Sequence, residues 1–350
     1  MPSRAPLIAS LFLFAVPAPA QAADEIARWV DRLGSQDRVI WSEAGLKLVD
    51  YGPKAIPALL KAASQRDAEY TARVAVTIRR MGGDAIPALI AQLEQSGPDD
   101  DAVAVVTVAA LSRFGKDAIE PLKKMLRPGS RKVKSRAAMA FMCLDQDGRL
   151  ALIEAVKLGD VEARREAAEA LSLMAKDLGN QAETLKAFAE LSRNNDDRVA
   201  NACVDGIYAI GIDACRPMLL TMLNTGEWNE ADVAARVLVR FGEVSIPDLI
   251  AALAAKPFQN GQSREFMVAS ALEKIGDKSV SPLIQALQND NPLVVHGATT
   301  ALAKFGPRAT RAIHDLIQVL RSKDYSVATN SASALKEIGN EAIPPLVGAL

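Results

Sequence analysis

The residues from which most enzyme centres are built are scarce in this 350-residue chain, which has three cysteines, two histidines and only 5% aromatics. Cys143, Cys203 and Cys215 are too few for a disulfide framework, which in small secreted domains needs several bridges. A single Cys203–Cys215 bridge is open to an exported protein. The expectation is instead two small buried hydrophobes, with Cys143 a further core residue. His296 and His314 are neither close in sequence nor paired with the acids of a metal motif. No Gly-x-Ser-x-Gly elbow, phosphate-binding Gly-rich loop or Cys-x-x-Cys pair occurs. Catalytic, cofactor-binding and metal-binding residues are therefore none by this reading, and the chain is expected not to be an enzyme. Charge of one sign is also lacking: 41 basic residues stand against 42 acidic, a net charge of −1. That balance, with so few aromatics to stack on bases, speaks against nucleic acid as a partner. Trp29, Trp41 and Trp228 are too scattered to form a ligand cage.

Hydrophobic residues make up 49% of the chain, and they recur with a fixed period. A turn slot falls about every 32 residues, at Gly52, Gly82, Gly115, Asp145, Ala175, Gly211, Gly242, Gly276, Gly306 and Gly339. The preceding residue is apolar in all ten units, from Tyr51 and Met81 to Phe305 and Ile338. The fourth residue before the slot is apolar too, from Leu48 and Ile78 to Leu302 and Leu335. Residues three and four apart share a helix face, so the two columns form a stripe that ends at the turn. Glycine there supplies a left-handed helix stop. Pro57, Pro87, Pro121, Pro217, Pro247, Pro282 and Pro344/Pro345 follow five or six residues later, where the first turn of a second helix tolerates a residue without an amide hydrogen. Each unit thus reads helix, tight turn, helix. One such pair cannot offset its own ordering entropy, and stability must come from stacking on neighbours. The expected fold is all-α: a right-handed α-α superhelix, or solenoid, of about ten helix pairs.

These residues resemble the HEAT-like repeats first described in phycobilisome (bilin) lyase subunits, an armadillo-type fold. Asp160–Leu171 (DVEARREAAEAL) and Val327–Leu350 (VATNSASALKEIGNEAIPPLVGAL) carry the closest matches, and the likeness runs from about Ser35 to Leu350. The position after the family's valine, usually arginine, is basic only at Lys134 and Arg164. The fourth and fifth units lack the turn glycine and the proline, so residues 130–196 are expected to be the least regular part. The resemblance implies a binding surface without naming its ligand. It also raises an alternative, an enzyme or enzyme accessory of the bilin lyase or deoxyhypusine hydroxylase lineage. The hydroxylases hold iron with several His-Glu pairs, and neither His296 nor His314 is followed by glutamate.

Residues 1–22 stand outside the repeat. Arg4, the apolar run Ala5–Val16 and the small-x-small site Ala20–Gln21–Ala22 read as a secretory signal peptide cleaved near Ala22/Ala23. The run is too short to span a bilayer, so no transmembrane segment is expected. The compartment expected is the periplasm. Residues 23–34 are expected to form an N-terminal capping helix and 35–350 the solenoid. Asp99–Asp100–Asp101 is expected to cap the first helix of the third unit, and the loop Pro257–Gln262 to be mobile, with Phe258 tucked in or offered as a contact. The one local candidate for partner binding is a run of cations without an acid, Lys123, Lys124, Arg127, Arg131, Lys132, Lys134 and Arg136, which could meet an anionic surface. The functional expectation is a non-enzymatic scaffold that holds a protein or peptide on a concave face lined by second helices.

Overall fold

Alanine-rich first helices and proline-opened second helices set the architecture, because small side chains let one helix approach the next while proline pins where its partner begins. The computed structural model describes residues 19–95, 101–127, 130–157, 160–176, 181–259, 261 and 263–349. Among the described residues every regular element is helical, and the chain divides into two units, Met1–Met125 and Leu126–Leu350. It is an all-α superhelix.

The first unit opens with α1 (Pro19–Arg32), which buries Ile26, Val30 and, just beyond its end, Leu33. Three helix pairs follow: α2 (Arg38–Tyr51) with α3 (Ile56–Ala63), α4 (Ala68–Arg80) with α5 (Ala85–Gln95), and α6 (Asp101–Ser112) with α7 (Ile119–Leu126). Tyr70 and Arg73 of α4 tie this end together. The Tyr70 hydroxyl donates to Val30 O at 2.7 Å, and the Arg73 guanidinium donates to Leu33 O and Ser35 O at 3.1 and 2.7 Å. Burial pushes the Tyr70 phenol up to about 12, against the Arg66 guanidinium, which lowers it. Trp29 and Trp41 lie half-buried under Arg32 and Arg73.

The second unit contains seven pairs. They are α8 (Arg131–Met142) with α9 (Asp145–Val156), α10 (Val161–Met174) with α11 (Gln181–Leu191), α12 (Asp197–Ile210) with α13 (Ile212–Thr225), and α14 (Trp228–Phe241) with α15 (Ile246–Ala252). Then come α16 (Arg264–Ile275) with α17 (Val280–Ala286), α18 (Pro292–Phe305) with α19 (Ile313–Val319), and α20 (Tyr325–Ile338) with α21 (Ile343–Ala349). Leu171, Ile207, Leu238, Leu272 and Leu302, one column of the sequence stripe, are all fully buried. Each such side chain contributes roughly 1.5–3 kcal/mol.

The turn differs from the expected left-handed stop. Gly52, Gly242, Gly276, Gly306 and Gly339 have φ between 53 and 102°, but ψ lies between −129 and −165°. This is extended mirror-image backbone, essentially closed to any residue with a Cβ. It throws the chain into a short 3-10 turn that feeds the second helix, rather than curling back as a left-handed cap would. In the fourth unit, which lacks the turn glycine, Asp145 takes the positive φ, 48°, itself. In the fifth, Ala175 closes α10 with helical dihedrals (φ −60°, ψ −32°), so that slot needs no positive φ. The helix pairing nevertheless continues through α8–α11.

That middle region is held by ion pairs between consecutive first helices. Lys134 of α8, 5% exposed, reaches Asp160, the N-cap of α10, at 2.7 Å. Glu166 of α10, also 5% exposed, meets Arg131 at 3.3 Å and Arg198 of α12 at 3.1 Å. Arg198 further pairs with Glu169 at 2.6 Å and Glu162 at 3.3 Å, and Arg165 pairs with Asp196 at 2.7 Å.

Candidate functional site

The cations expected to form a patch, Lys123–Arg136, are divided between buried and exposed positions. Lys134 and Arg136 are buried, Lys134 against Asp160. Arg131 pairs with Glu166 and Lys123 with Glu120 at 3.1 Å. Lys132 also has a partner, while Lys124 and Arg127 are exposed. Two of the seven cations, Lys134 and Arg136, are thus buried in the stack, while Lys124, Arg127 and Arg131 are exposed. The physical reason is the register of the repeat: first-helix cations face the acids of the next first helix, and opposite charges at that spacing pair rather than project. The run also straddles the boundary between the two units.

Other expectations resolve as follows. Cys203 and Cys215 are buried, free thiols, and burial holds them up at about 12 and about 11. Cys143 is exposed rather than a core residue, because it follows the end of α8 at the turn. Phe258 is tucked in, 6% exposed, beneath the Arg264 guanidinium at 3.8 Å. Arg264, 4% exposed, donates to Lys256 O, Leu223 O and Gly226 O at 2.9, 2.9 and 2.8 Å. The described residues of the expected mobile loop are therefore fastened by an arginine that sequence reasoning passed over. Most of the acidic run, Asp99 and Asp100, lies outside the described residues, as do residues 1–18 of the expected leader; Asp101 is the first residue of α6.

The two histidines lie in different layers, His296 on α18 and His314 on α19. No cluster of metal-ligating side chains occurs among the described residues. His296 does sit in a polar line, with Glu265 Oε2 at 3.3 Å from Nε2 and Ser326 Oγ at 3.1 Å from Nδ1. A nucleophilic serine would also need amide hydrogens to hold an oxyanion. Here the Ser326 and Val327 amides both donate to the capping Asp324 carboxylate. Asn330 Nδ2 crowds the imidazole as well, 3.3 Å from Nδ1 and 3.1 Å from Nε2. The line reads as a strut between α16, α18 and α20.

What the second unit does present is an open groove of about 970 Å³ on first helices α12, α14 and α16, not on the second helices expected to line the binding face. Its floor is apolar: Val204, Ala235 and Ala271 are buried, and Val239 and Met267 are half-buried. Trp228 and Phe266 stand in it 46% and 59% exposed. Asp205 pairs with Arg240 at 2.5 Å, and Asp232 with Arg236 at 3.5 Å; Arg236 also donates to Asn201. α16 has 12 residues where the flanking first helices α14 and α18 each have 14. Its N-cap is Ser263, and the first helical residue, Arg264, turns inward to the three carbonyls instead of projecting over the groove. A second, smaller open groove, about 660 Å³, lies on second helices α15 and α17; its lining includes Glu243, Lys278, Gln285 and Asn289 and carries no exposed aromatic side chain. No helix among the described residues is long and apolar enough to cross a membrane.

Comparison with known proteins agrees with the repeat. A family model for HEAT repeats matches residues 246–332 and 280–350. No curated protein matches the chain. Among solved structures, an engineered protein aligns over 90% of this chain and 98% of its own, at 18% identity and a TM-score of 0.29. Importin beta aligns over 93% of this chain at 12% identity and a TM-score of 0.35. Kap95p bound to RanGDP aligns over the same share at 11% identity and a TM-score of 0.38. The chain spans 53% of each of these two. The family match identifies residues 246–350 as HEAT repeats, and the helices α15–α21 are the elements that carry them.

Proposed function

We propose that this chain is an exported, non-enzymatic scaffold that holds a protein or peptide on its layer of first helices. The observation that carries the reading is the groove on α12, α14 and α16, where two large aromatic side chains stand exposed over an apolar floor. Exposed tryptophan and phenylalanine of this kind are what binding surfaces use as anchors, and monomeric proteins seldom leave them bare without a use. A stacked array suits this role, since neighbouring units offer one continuous surface. Export is supported by the leader pattern of Arg4, Ala5–Val16 and Ala20–Gln21–Ala22. The absence of an enzymatic role is supported by the histidines, one a strut and the other apart from it in the second layer. Contact with an anionic surface is left to the exposed Lys124, Arg127 and Arg131, because Lys134 and Arg136 are buried.

The test is photo-cross-linking in the host from a residue analogue at Ser270, in the groove, with a matched one at Gln285, on α17. A stoichiometric protein adduct supports the scaffold, and N-terminal sequencing of the mature chain starting at Ala23 supports export. A chain that starts at Met1 in the cytosol, or that forms no adduct from either position, would overturn the corresponding half of the proposal.

A further inference from the structure

The charges around the groove say what kind of segment it would take. Each carboxylate in its lining is already answered: Asp205 by Arg240, and Asp232 by Arg236. Glu273, the acid next to Lys274 in sequence, is held by Arg308 at 2.9 Å. Lys274 is exposed and enters no ion pair among the described residues. Lys304, from the next first helix, lies over the Phe266 ring with its ammonium 3.5 Å from the centroid, a weak and displaceable contact at an exposed site. The unanswered charge beside the apolar floor is therefore positive. It lies at the end of the groove where α14 and α16 finish, since Arg240 and Lys274 both stand in the last turn of their helices.

We infer that the groove binds an acidic peptide segment, with an aromatic or branched aliphatic anchor seated between Trp228 and Phe266 and one or two carboxylates reaching Lys274 and Lys304. The inference rests on the scaffold reading and deepens it. A basic segment would bring its cations against Lys274 and Lys304, and like charges at a contact disfavour the wrong partner. A fatty acid has the same pairing of apolar tail and anion. The groove, however, is open along one side and lined by two carboxylates as well as by apolar groups, and an acyl chain there would stay half in water. A peptide can turn its polar backbone and remaining side chains outward.

The experiment uses the full chain. A library of random dodecapeptides is selected on it and counter-selected on the Phe266→Asp variant. The expected set is enriched in peptides that combine an aromatic or aliphatic anchor with aspartate or glutamate. Synthetic members, followed by fluorescence anisotropy, should bind about tenfold more weakly to Trp228→Ala or Phe266→Ala, both exposed positions whose far-UV circular dichroism should not change. Lys274→Glu should weaken the acidic peptide by a similar factor and restore binding of its acid-to-lysine counterpart. Recovered peptides that are basic or neutral, affinities that ignore these variants, displacement of the peptides by a fatty acid that binds the groove more tightly, or no recovered peptide at all would each overturn the inference. Its failure is separable from that of the scaffold: a partner cross-linked from Gln285 and retained by all three variants would keep the scaffold and move the site to the second helices.

Discussion

Single residues carry this fold at the turns and at the caps. Gly242 has φ 70° and ψ −135°, with nothing within 4 Å of where a Cβ would stand, so the constraint there is backbone conformation and not crowding. Gly242→Ala should destabilise the protein by about 1–3 kcal/mol, while Ala175→Gly, at a helical slot, should cost no more than about 1 kcal/mol; thermal denaturation distinguishes them. The turn slots were legible because glycine recurs at a fixed interval. The kind of turn was not, since a left-handed cap and mirror-image extended backbone both call for glycine. Asp160 shows a second dependence. The hydrogen bond from Lys134, then that from the Ala163 amide, holds its carboxyl below the usual carboxylate range. A depressed carboxyl contributes stability above its unfolded value, and that contribution is lost as pH falls through the folded one. The wild type should lose urea resistance as pH drops below about 4, and Asp160→Asn should flatten that slope while lowering stability at neutral pH, because Lys134 then stays buried without its counter-charge.

At the scale of elements, helix starts are set by caps and helix contacts by small residues. Asp37, Asp67, Asp160, Asp196, Ser263, Asn291 and Asp324 each accept from an amide in the first turn that follows. This column was readable in the sequence, yet glycine and proline drew the eye first. Close approach is readable only in three dimensions: a Cβ on Gly206 of α12 would come within 2.2 Å of the Phe188 ring of α11. Arg264 belongs to the same class. From sequence it is one more cation at a helix start. In the structure it joins the end of α13, the loop before α16 and Phe258. Removing it leaves three carbonyls and a ring face without their partner. Arg264→Ala should therefore cost about 2–4 kcal/mol by chemical denaturation, and Arg264→Lys should recover only part, since an ammonium cannot reproduce the planar fork.

For the whole molecule, the repeat pattern was enough to establish the class of fold, because stacking follows from any array of units that cannot bury their own faces. It was not enough to find the site, because the groove depends on side-chain charges meeting across repeats about 30 residues apart and on where one helix begins. The tryptophans allow a test of cooperativity. Trp29 and Trp41 belong to the first unit and Trp228 to the second. Versions of the chain that retain either Trp228 alone or the other two should give different fluorescence midpoints in urea, as expected where contacts are made mostly within each unit; coincident midpoints would mean a single cooperative transition. Where α16 begins decides which of its residues stand beside Trp228, so the lining depends on segment length as well as on side-chain identity. An insertion of two residues ahead of Ser263 could re-line the surface, and a matching deletion elsewhere in the array could re-line another, without a single core substitution. In a protein built this way, new binding faces can arise through small gains and losses in its connectors, while the stack that carries them stays unchanged.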